Sequence, residues 1–277
     1  MWPVIHLGDT VISTYGLLVT LGYTIGIFWC MANVKRAEAS MNQFWALGFT
    51  LIFGALTGAR LGYYVVEWDS LAAGALFSNW RSGWVFWTGF VGSMVTGKLF
   101  QIGYNSFNRP RRYLQIADFF GPALAFGHTL GRIGCFAEGC CYGTPTSMPW
   151  GVKFSHAACS VDGTLLGTAL HPVQLYEAFG SACLFAFFAF YVLPRIHAKK
   201  LTYGTSFLGY ICLYAVMRFF LEFLRGDDRG VFLWDALSPS QWFSLGALIV
   251  AGGRLYYQGI FERHPDTRTV YLDSEPS

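Results

Sequence analysis

Charge is what this sequence has least of: Asp, Glu, Lys and Arg make up 13% of its 277 residues. A soluble domain carries roughly 25%, so the composition excludes one or two ordinary soluble domains and points to a membrane protein. The net charge of +3 is too small for a nucleic-acid surface. No C-x-x-C pair is present, which removes the usual redox motif. The start, Met1 to His6, lacks a basic n-region, and no small-residue cleavage site follows the first apolar run. That run is therefore expected to be a retained span and not a signal peptide. The final apolar run has no lysine for a Schiff base, and no broken-helix repeat recurs across two halves, which argues against a retinal receptor, channel or transporter. No low-complexity stretch or internal repeat is present.

What is abundant is apolar surface, at 54% hydrophobic and 18% aromatic residues. The expected fold is all-α: a polytopic membrane protein with about seven transmembrane helices, each near the roughly 20 residues a bilayer needs. The spans are read at Thr14–Asn33, Phe44–Val66, Gly83–Gly103, Ile116–Phe136, Val173–Val192, Gly204–Leu224 and Ser240–Tyr257. The whole chain, 1–277, is expected to form one integral-membrane domain. The segment Leu71–Phe77 is apolar but too short to cross. Lys and Arg alternate in density between loops: Lys35 and Arg36, Arg109, Arg111 and Arg112, Arg195, Lys199 and Lys200, then Arg263 and Arg268 on one side, against Arg81, Lys153 and Arg229 on the other. By the positive-inside rule the N-terminus lies outside and the C-terminus in the cytoplasm, which needs an odd number of crossings. Trp80, Trp84, Trp150, Trp234 and Trp242 fall near the expected outer edge, as an aromatic belt would. The outer loop at about 137–172 exceeds ordinary loop lengths. With Trp150, Phe154, His156 and Cys159 it reads as an ordered cap.

The charges that do enter the apolar runs carry the functional signal. Arg132 lies in Gly131-Arg132-Ile133-Gly134-Cys135-Phe136-Ala137-Glu138-Gly139-Cys140-Cys141-Tyr142-Gly143. A guanidinium at membrane depth costs about 2.5–3.5 kcal/mol on insertion scales, so it implies a partner or a ligand. The glycines open the backbone for close approach, and a single nearby carboxylate is not expected to be its only partner. A planar fork suits a lipid phosphate. Arg218, Glu222 and Arg225 stand at i, i+4 and i+7, on one helix face. They read either as a self-neutralising ladder or as a surplus positive face for an anion. His171-Pro172-Val173-Gln174-Leu175-Tyr176-Glu177 opens the fifth span, with proline tolerated in the first turn. His171, Tyr176 and Glu177 read either as a polar strut supporting a site or as packing. Arg60 and Lys98 read as snorkelling side chains, and Asp118 as a partner of Arg111 or Arg112.

Of seven cysteines, Cys30, Cys183 and Cys212 lie in apolar spans and read as small core residues. Cys135, Cys140, Cys141 and Cys159 fall on the outer side, where disulfide formation is the first reading. A pair such as Cys141–Cys159 would staple the loop, although spacing does not decide connectivity. Zinc held by these cysteines with His156 or His171 is the lesser reading beside disulfide formation.

These residues together resemble the prolipoprotein diacylglyceryl transferase family. The resemblance rests on Gly131–Gly143 followed by Thr144-Pro145-Thr146, on His171–Glu177, on Arg218–Arg225 and on Ser238-Pro239-Ser240-Gln241, in that order. Weaker matches are Tyr15-Gly16-Leu17, Gly58–Tyr63 and Thr88-Gly89-Phe90-Val91-Gly92. The resemblance implies a multi-pass enzyme of the bacterial inner membrane that moves the diacylglyceryl group from phosphatidylglycerol to the lipobox cysteine of prolipoproteins. The partners it implies are these two substrates and membrane lipids, with no cofactor, metal or nucleic acid. It implies catalytic roles for Arg132, Arg218, His171 and Glu222. Substrate-binding roles are implied for Arg132, Gly143, Tyr15, Arg225, Tyr176 and Glu177. Three positions depart from the family pattern: Cys135 replaces Asn, Cys140 replaces Glu, and Trp87 replaces a histidine favoured as the base. His128 and His171 are the nearby substitutes. The departures also admit a paralogue that uses another acceptor, or one that binds lipid without catalysis.

Overall fold

In the computed structural model of the chain, the described residues are 3–8, 10–37, 39–66, 85–107, 113–155, 159–227 and 237–261. Leu71–Phe77, Trp80, Arg81, Trp84, the arginines at 109, 111 and 112, His156, Arg229, Trp234, Arg263 and Arg268 lie outside them, as does the Trp87 side chain. Seven long helices run through the described residues: α1 Thr14–Asn33, α2 Met41–Val66, α3 Phe86–Phe107, α4 Tyr113–Glu138, α5 Val173–His197, α6 Thr205–Leu224 and α7 Pro239–Phe261. α5 passes through a π turn at Phe187–Val192, and α6 closes in a 3-10 turn at Glu222–Leu224. Four helices, α1, α2, α5 and α6, are long and apolar enough to cross a membrane. Their outward surfaces stay apolar: Phe28, Phe53, Phe179 and Phe220 are all more than half exposed, as expected where lipid is the solvent. The all-α expectation needs one addition. Two small antiparallel pairs join the helices, β1 (Val4–Leu7) with β2 (Thr10–Ser13) and β3 (Val152–Lys153) with β4 (Ala169–Leu170).

The chain divides into two compact units, residues 33–116 and residues 1–32 with 117–277. Within the first, α2 and α3 pack through small residues. A Cβ on Gly58 would strike the Thr88 carbonyl and come within 3.0 Å of Gly92 Cα, and one on Gly89 would lie 2.9 Å from the Ala55 carbonyl. Such backbone contact is how helices associate where lipid removes the hydrophobic drive between them. The Gly58–Tyr63 and Thr88–Gly92 motifs are thus explained by packing. Arg60 in this unit is buried, donating from Nε to Tyr64 Oη at 3.0 Å with its guanidinium over Tyr63 and Tyr64. Aromatic faces hold it, where snorkelling to the surface was expected. Lys98 meets Gln101 at 2.9 Å.

In the second unit, α1 lies against α4 at Gly22, whose Cβ would sit 3.3 Å from Gly127 Cα. Asp118 on α4 is fully buried. It accepts from the backbone N–H groups of Gly204 at 2.6 Å, Ser206 at 2.9 Å and Phe207 at 3.1 Å. A pairing with loop arginines was expected; instead the carboxylate caps α6, whose own cap residue is Gly204 and offers no side chain. Negative charge at a helix N-terminus satisfies both the orphan donors and the dipole. Among the described residues between α4 and α5, Tyr142, Phe154, Val161 and Leu170 form a small apolar cluster, with Phe154 and Leu170 fully buried.

Replacing Asp118 by Ala is expected to cost about 1–2 kcal/mol, the value of a lost helix cap, and Asp118→Asn less. Thermal melting in detergent measures both. Gly58→Leu is expected to lower the melting temperature further, because no side-chain shift can clear the facing backbone.

Candidate functional site

Three sequence motifs distant along the chain meet through their backbones. The segment Tyr142–Thr146 runs between the entry to α5 and the exit from α6. Gly143 N–H donates to the His171 carbonyl at 3.1 Å, and His171 N–H returns a bond to Thr144 at 3.0 Å. On the other side Thr144 N–H donates to Leu224 at 2.9 Å, and Gly226 N–H donates to Tyr142 at 3.0 Å. Gly143 and Arg225 form an antiparallel bridge. The fit leaves no side-chain room: a Cβ on Gly143 would lie 2.5 Å from the His171 carbonyl and 2.7 Å from Val173 Cγ2, and one on Gly226 would lie 2.5 Å from the Gly143 carbonyl. Gly143 is thus required by close packing of three backbones.

Arg132 projects from the last turns of α4, and its Nε lies 3.1 Å from Glu177 Oε2 on α5. Glu177 is completely buried, and its other oxygen accepts from Tyr214 Oη on α6 at 2.7 Å. His128, one turn before Arg132, stacks on Tyr214 with ring centroids 4.7 Å apart, and its Nδ1 is 2.7 Å from Tyr210 Oη. The guanidinium therefore has a carboxylate partner, and that partner is one of the candidate residues. Breaking a buried pair by removing one member costs about 3–5 kcal/mol, because the other charge is stranded. The Arg132 side chain keeps 18% of its surface exposed while Glu177 keeps none, so the arginine is the member that can still meet a ligand.

The second arginine group behaves as the ladder its spacing implies. Glu222 Oε2 contacts Arg218 Nη1 at 2.5 Å and Arg225 Nε at 3.7 Å. Arg225 also holds Asp227 with two bonds, from Nε to Oδ1 at 2.8 Å and from Nη2 to Oδ2 at 2.7 Å. Asp227 cancels the surplus positive charge expected of this face. What the arginines offer an anion is oriented N–H donors and not net charge. Ser238, at the start of α7, donates to Glu222 Oε1 at 2.8 Å. The Ser238-Pro239-Ser240-Gln241 motif is a capping box: Ser238 N–H donates to Gln241 Oε1 at 3.0 Å, and Gln241 N–H returns to Ser238 Oγ at 3.3 Å. Such reciprocal bonds fix a helix start, here with a hydroxyl left to steady Glu222. Tyr214, one turn before Arg218, lies within electrostatic reach of both Arg132 and Arg218. Its hydroxyl bonds to Glu177, the acid that holds Arg132.

Other candidates sit apart from this network. His171 Nδ1 is 3.3 Å from Tyr176 Oη, which accepts from Trp150 Nε1 at 2.7 Å. The Tyr176 hydroxyl thus ties Trp150 and His171 to α5, and among the described residues His128 is the histidine beside Arg132. Tyr15 packs on Gly134, whose Cβ would lie 3.1 Å from Tyr15 Cδ2, and it is within electrostatic reach of Arg132.

All seven cysteines are free thiols, so the expected Cys141–Cys159 bridge is not formed. Cys135, Cys140 and Cys141 instead gather with their Sγ atoms within 4.8 Å of one another. The cause is local. α4 ends with Gly139 at φ 79°, and the N–H groups of Gly139 and Cys140 both return to the Cys135 carbonyl, at 2.9 and 3.1 Å. This left-handed cap folds the chain back over its own last turn. Hydrogen bonds from Cys135 and Cys140, with Arg225 alongside, hold the Cys141 thiol well below the usual range, while the same sharing pushes Cys140 up. Sequence reasoning missed this cluster, Asp227 and the Tyr214–Glu177 bond. The i, i+4 spacing of Tyr214 and Arg218 was the available signal for the last.

Gly143→Ala is expected to cost about 1–3 kcal/mol by overpacking, seen as a lower melting temperature and faster proteolysis of residues 139–172. Gly131→Ala, where nothing lies within 4 Å of the added carbon, is expected to leave both unchanged.

The comparisons with known proteins agree with this organisation. The family model described as prolipoprotein diacylglyceryl transferase matches residues 3–258. The phosphatidylglycerol–prolipoprotein diacylglyceryl transferase of Finegoldia magna is 32% identical over 248 residues, covering 87% of this chain and 88% of that protein. The proteins of the same name from Clostridium tetani and Coxiella burnetii are 28% and 29% identical, covering 85% and 91% of this chain and 89% and 93% of theirs. With its motifs tied together around Gly143, the chain belongs to the prolipoprotein diacylglyceryl transferase family.

Proposed function

We propose that this chain transfers the diacylglyceryl group of phosphatidylglycerol to the lipobox cysteine of a prolipoprotein. The observations that support the reading are two arginine groups, Arg132–Glu177–Tyr214 and Arg218–Glu222–Arg225, whose chain segments meet through the backbone at Gly143. The acceptor thiolate attacks the glyceryl carbon that bears the phosphodiester. A C–S bond forms, the C–O bond breaks, and the electron pair leaves with glycerol phosphate. Negative charge grows on the departing phosphate, where preoriented guanidinium donors are most effective. Arg132 grips the phosphate, Arg218 and Arg225 complete the cradle, and Glu222 orients them. Glu177 fixes Arg132, Gly143 allows backbone approach, Tyr15 lines the same face, and His171 with Tyr176 anchors the cap over the site.

The enzyme is a single-domain protein of the bacterial inner membrane with seven crossings, its N-terminus and the 139–172 cap outside and its C-terminus in the cytoplasm. The arrangement of Lys35, Arg36, Arg195, Lys199 and Lys200 supports this orientation.

Expression in cells depleted of their own transferase is expected to restore lipidated lipoproteins, and Arg132→Ala to abolish the rescue; correct membrane insertion without rescue by the parent would defeat the reading. For the proton acceptor, His128→Asn is expected to lower kcat by about 10²-fold or more, the lower bound for general-base loss, and His171→Asn by less. Steady-state kinetics on phosphatidylglycerol and a lipobox peptide make the comparison.

A further inference from the structure

We infer that Tyr210 is a positioning residue for the transfer reaction: its hydroxyl holds His128, the group that takes the proton of the acceptor thiol. The inference rests on the transferase reading above and deepens it. The Tyr210 hydroxyl lies 2.7 Å from His128 Nδ1. Tyr210 is buried, whereas His128 keeps accessible surface. The neighbouring pair repeats this division: Glu177 is completely buried, and Arg132, which it holds, stays partly exposed. In each pair a covered polar group fixes an accessible one. A site needs that division when a side chain must meet its substrate in one orientation.

The tyrosine is itself fixed. Phe188, buried in the π turn of α5, stands edge-on to the Tyr210 ring with centroids 6.4 Å apart. It presses so closely on α6 that a Cβ on Gly209 would lie 3.0 Å from its ring. Tyr214, one turn on, stacks on Tyr210 at 5.8 Å and on His128 at 4.7 Å. π turns are rare and often kept at functional sites. Packing alone gives no reason for the polar atoms here. A leucine and a phenylalanine would fill the same space at membrane depth without burying an imidazole nitrogen and a hydroxyl. The charged and titratable groups that face His128 are Glu177 on α5, Tyr210 and Tyr214 on α6, and Arg132 on its own helix. α1 meets α4 here at Gly22, which has no side chain.

The hydrogen bond sets the chemistry of the ring. A base needs one nitrogen with a free lone pair, so Nδ1 carries the proton of the neutral ring, donated to Tyr210 Oη, and Nε2 is left to act. Nε2 takes the proton of the acceptor thiol, the thiolate forms the C–S bond, and the C–O electron pair leaves on the phosphate. The phosphate then takes the proton from Nε2, which restores the neutral ring. The Nδ1–H bond to Tyr210 persists in the imidazolium, so the ring does not turn between the two proton transfers.

The test is steady-state transfer by the full chain in detergent, with phosphatidylglycerol and a lipobox peptide. Tyr210→Phe keeps the ring contacts and removes the hydroxyl. It is expected to lower kcat by at least about tenfold, a part of the roughly 10²–10⁴ that a general base contributes. KM for phosphatidylglycerol is expected to stay unchanged, because the arginine groups are untouched. The acid limb of the kcat–pH profile is expected to move, which a merely structural loss leaves in place. In a His128→Asn background Tyr210→Phe is expected to cost nothing more, since a residue that acts through another has no effect once that other is gone. Should Tyr210→Phe fail to insert, 3-fluorotyrosine at the same position keeps the shape and the hydroxyl but weakens the oxygen as an acceptor, and it is expected to move the same limb. Unchanged kcat in Tyr210→Phe, an unmoved limb, or losses that add in the double variant overturns the inference and leaves the transferase reading standing. A parent that inserts correctly and transfers nothing sinks the transferase reading, and this inference with it.

Discussion

The structure around the site depends on a backbone constraint: three chain segments cross at Gly143 with no space for a side chain. The hydrogen bonds on either side of Tyr142–Thr146 join the end of α4, the start of α5 and the end of α6. Each segment brings its own polar residues: Arg132 on α4, Glu177 on α5, and Tyr214, Arg218 and Glu222 on α6. Because the bonds are between backbones, they set the relative height of the helices to within a residue. Side-chain pairs alone, which flex over several ångströms, would not.

On that frame every arginine near the site acquires an acid. Arg132 has Glu177, Arg218 has Glu222, and Arg225 has both Glu222 and Asp227. In an apolar surround this pairing is what allows the charges to be kept at all. The consequence for chemistry is that the group is close to neutral yet rich in fixed donors. It would favour an anion by geometry, and most strongly when charge is developing in a set direction.

Much of this was legible beforehand, and the particular failures are instructive. The helices were readable because long apolar runs bounded by polar loops admit one structure in lipid. The Arg218–Glu222–Arg225 contacts were readable because i, i+4 and i+7 share a helix face. Asp118 was misassigned to loop arginines because sequence proximity suggests partners, whereas the buried donors it serves lie on α6, a helix far along the chain. Arg60 was read as snorkelling to the outer surface, yet it is buried with Tyr63 and Tyr64 supplying a polarised aromatic surround. The outer cysteines were read as disulfide partners because an oxidising exterior favours bridges, and their spacing carries no information on how a helix ends. Gly139 turned them toward one another instead.

The sequence by itself determined where helices form, which polar residues enter them, and which family motifs the chain carries, since these follow from composition and from periodicities of a few residues. Only the tertiary structure decided that Glu177 is the partner of Arg132, that Tyr214 holds Glu177 from a third helix, that Asp227 cancels the charge of Arg225, and that three thiols share one spot. Partner choice is a matter of distances between groups remote in the chain. Local pattern has no purchase on these until backbone packing, here through Gly143 and Gly226, fixes which elements touch.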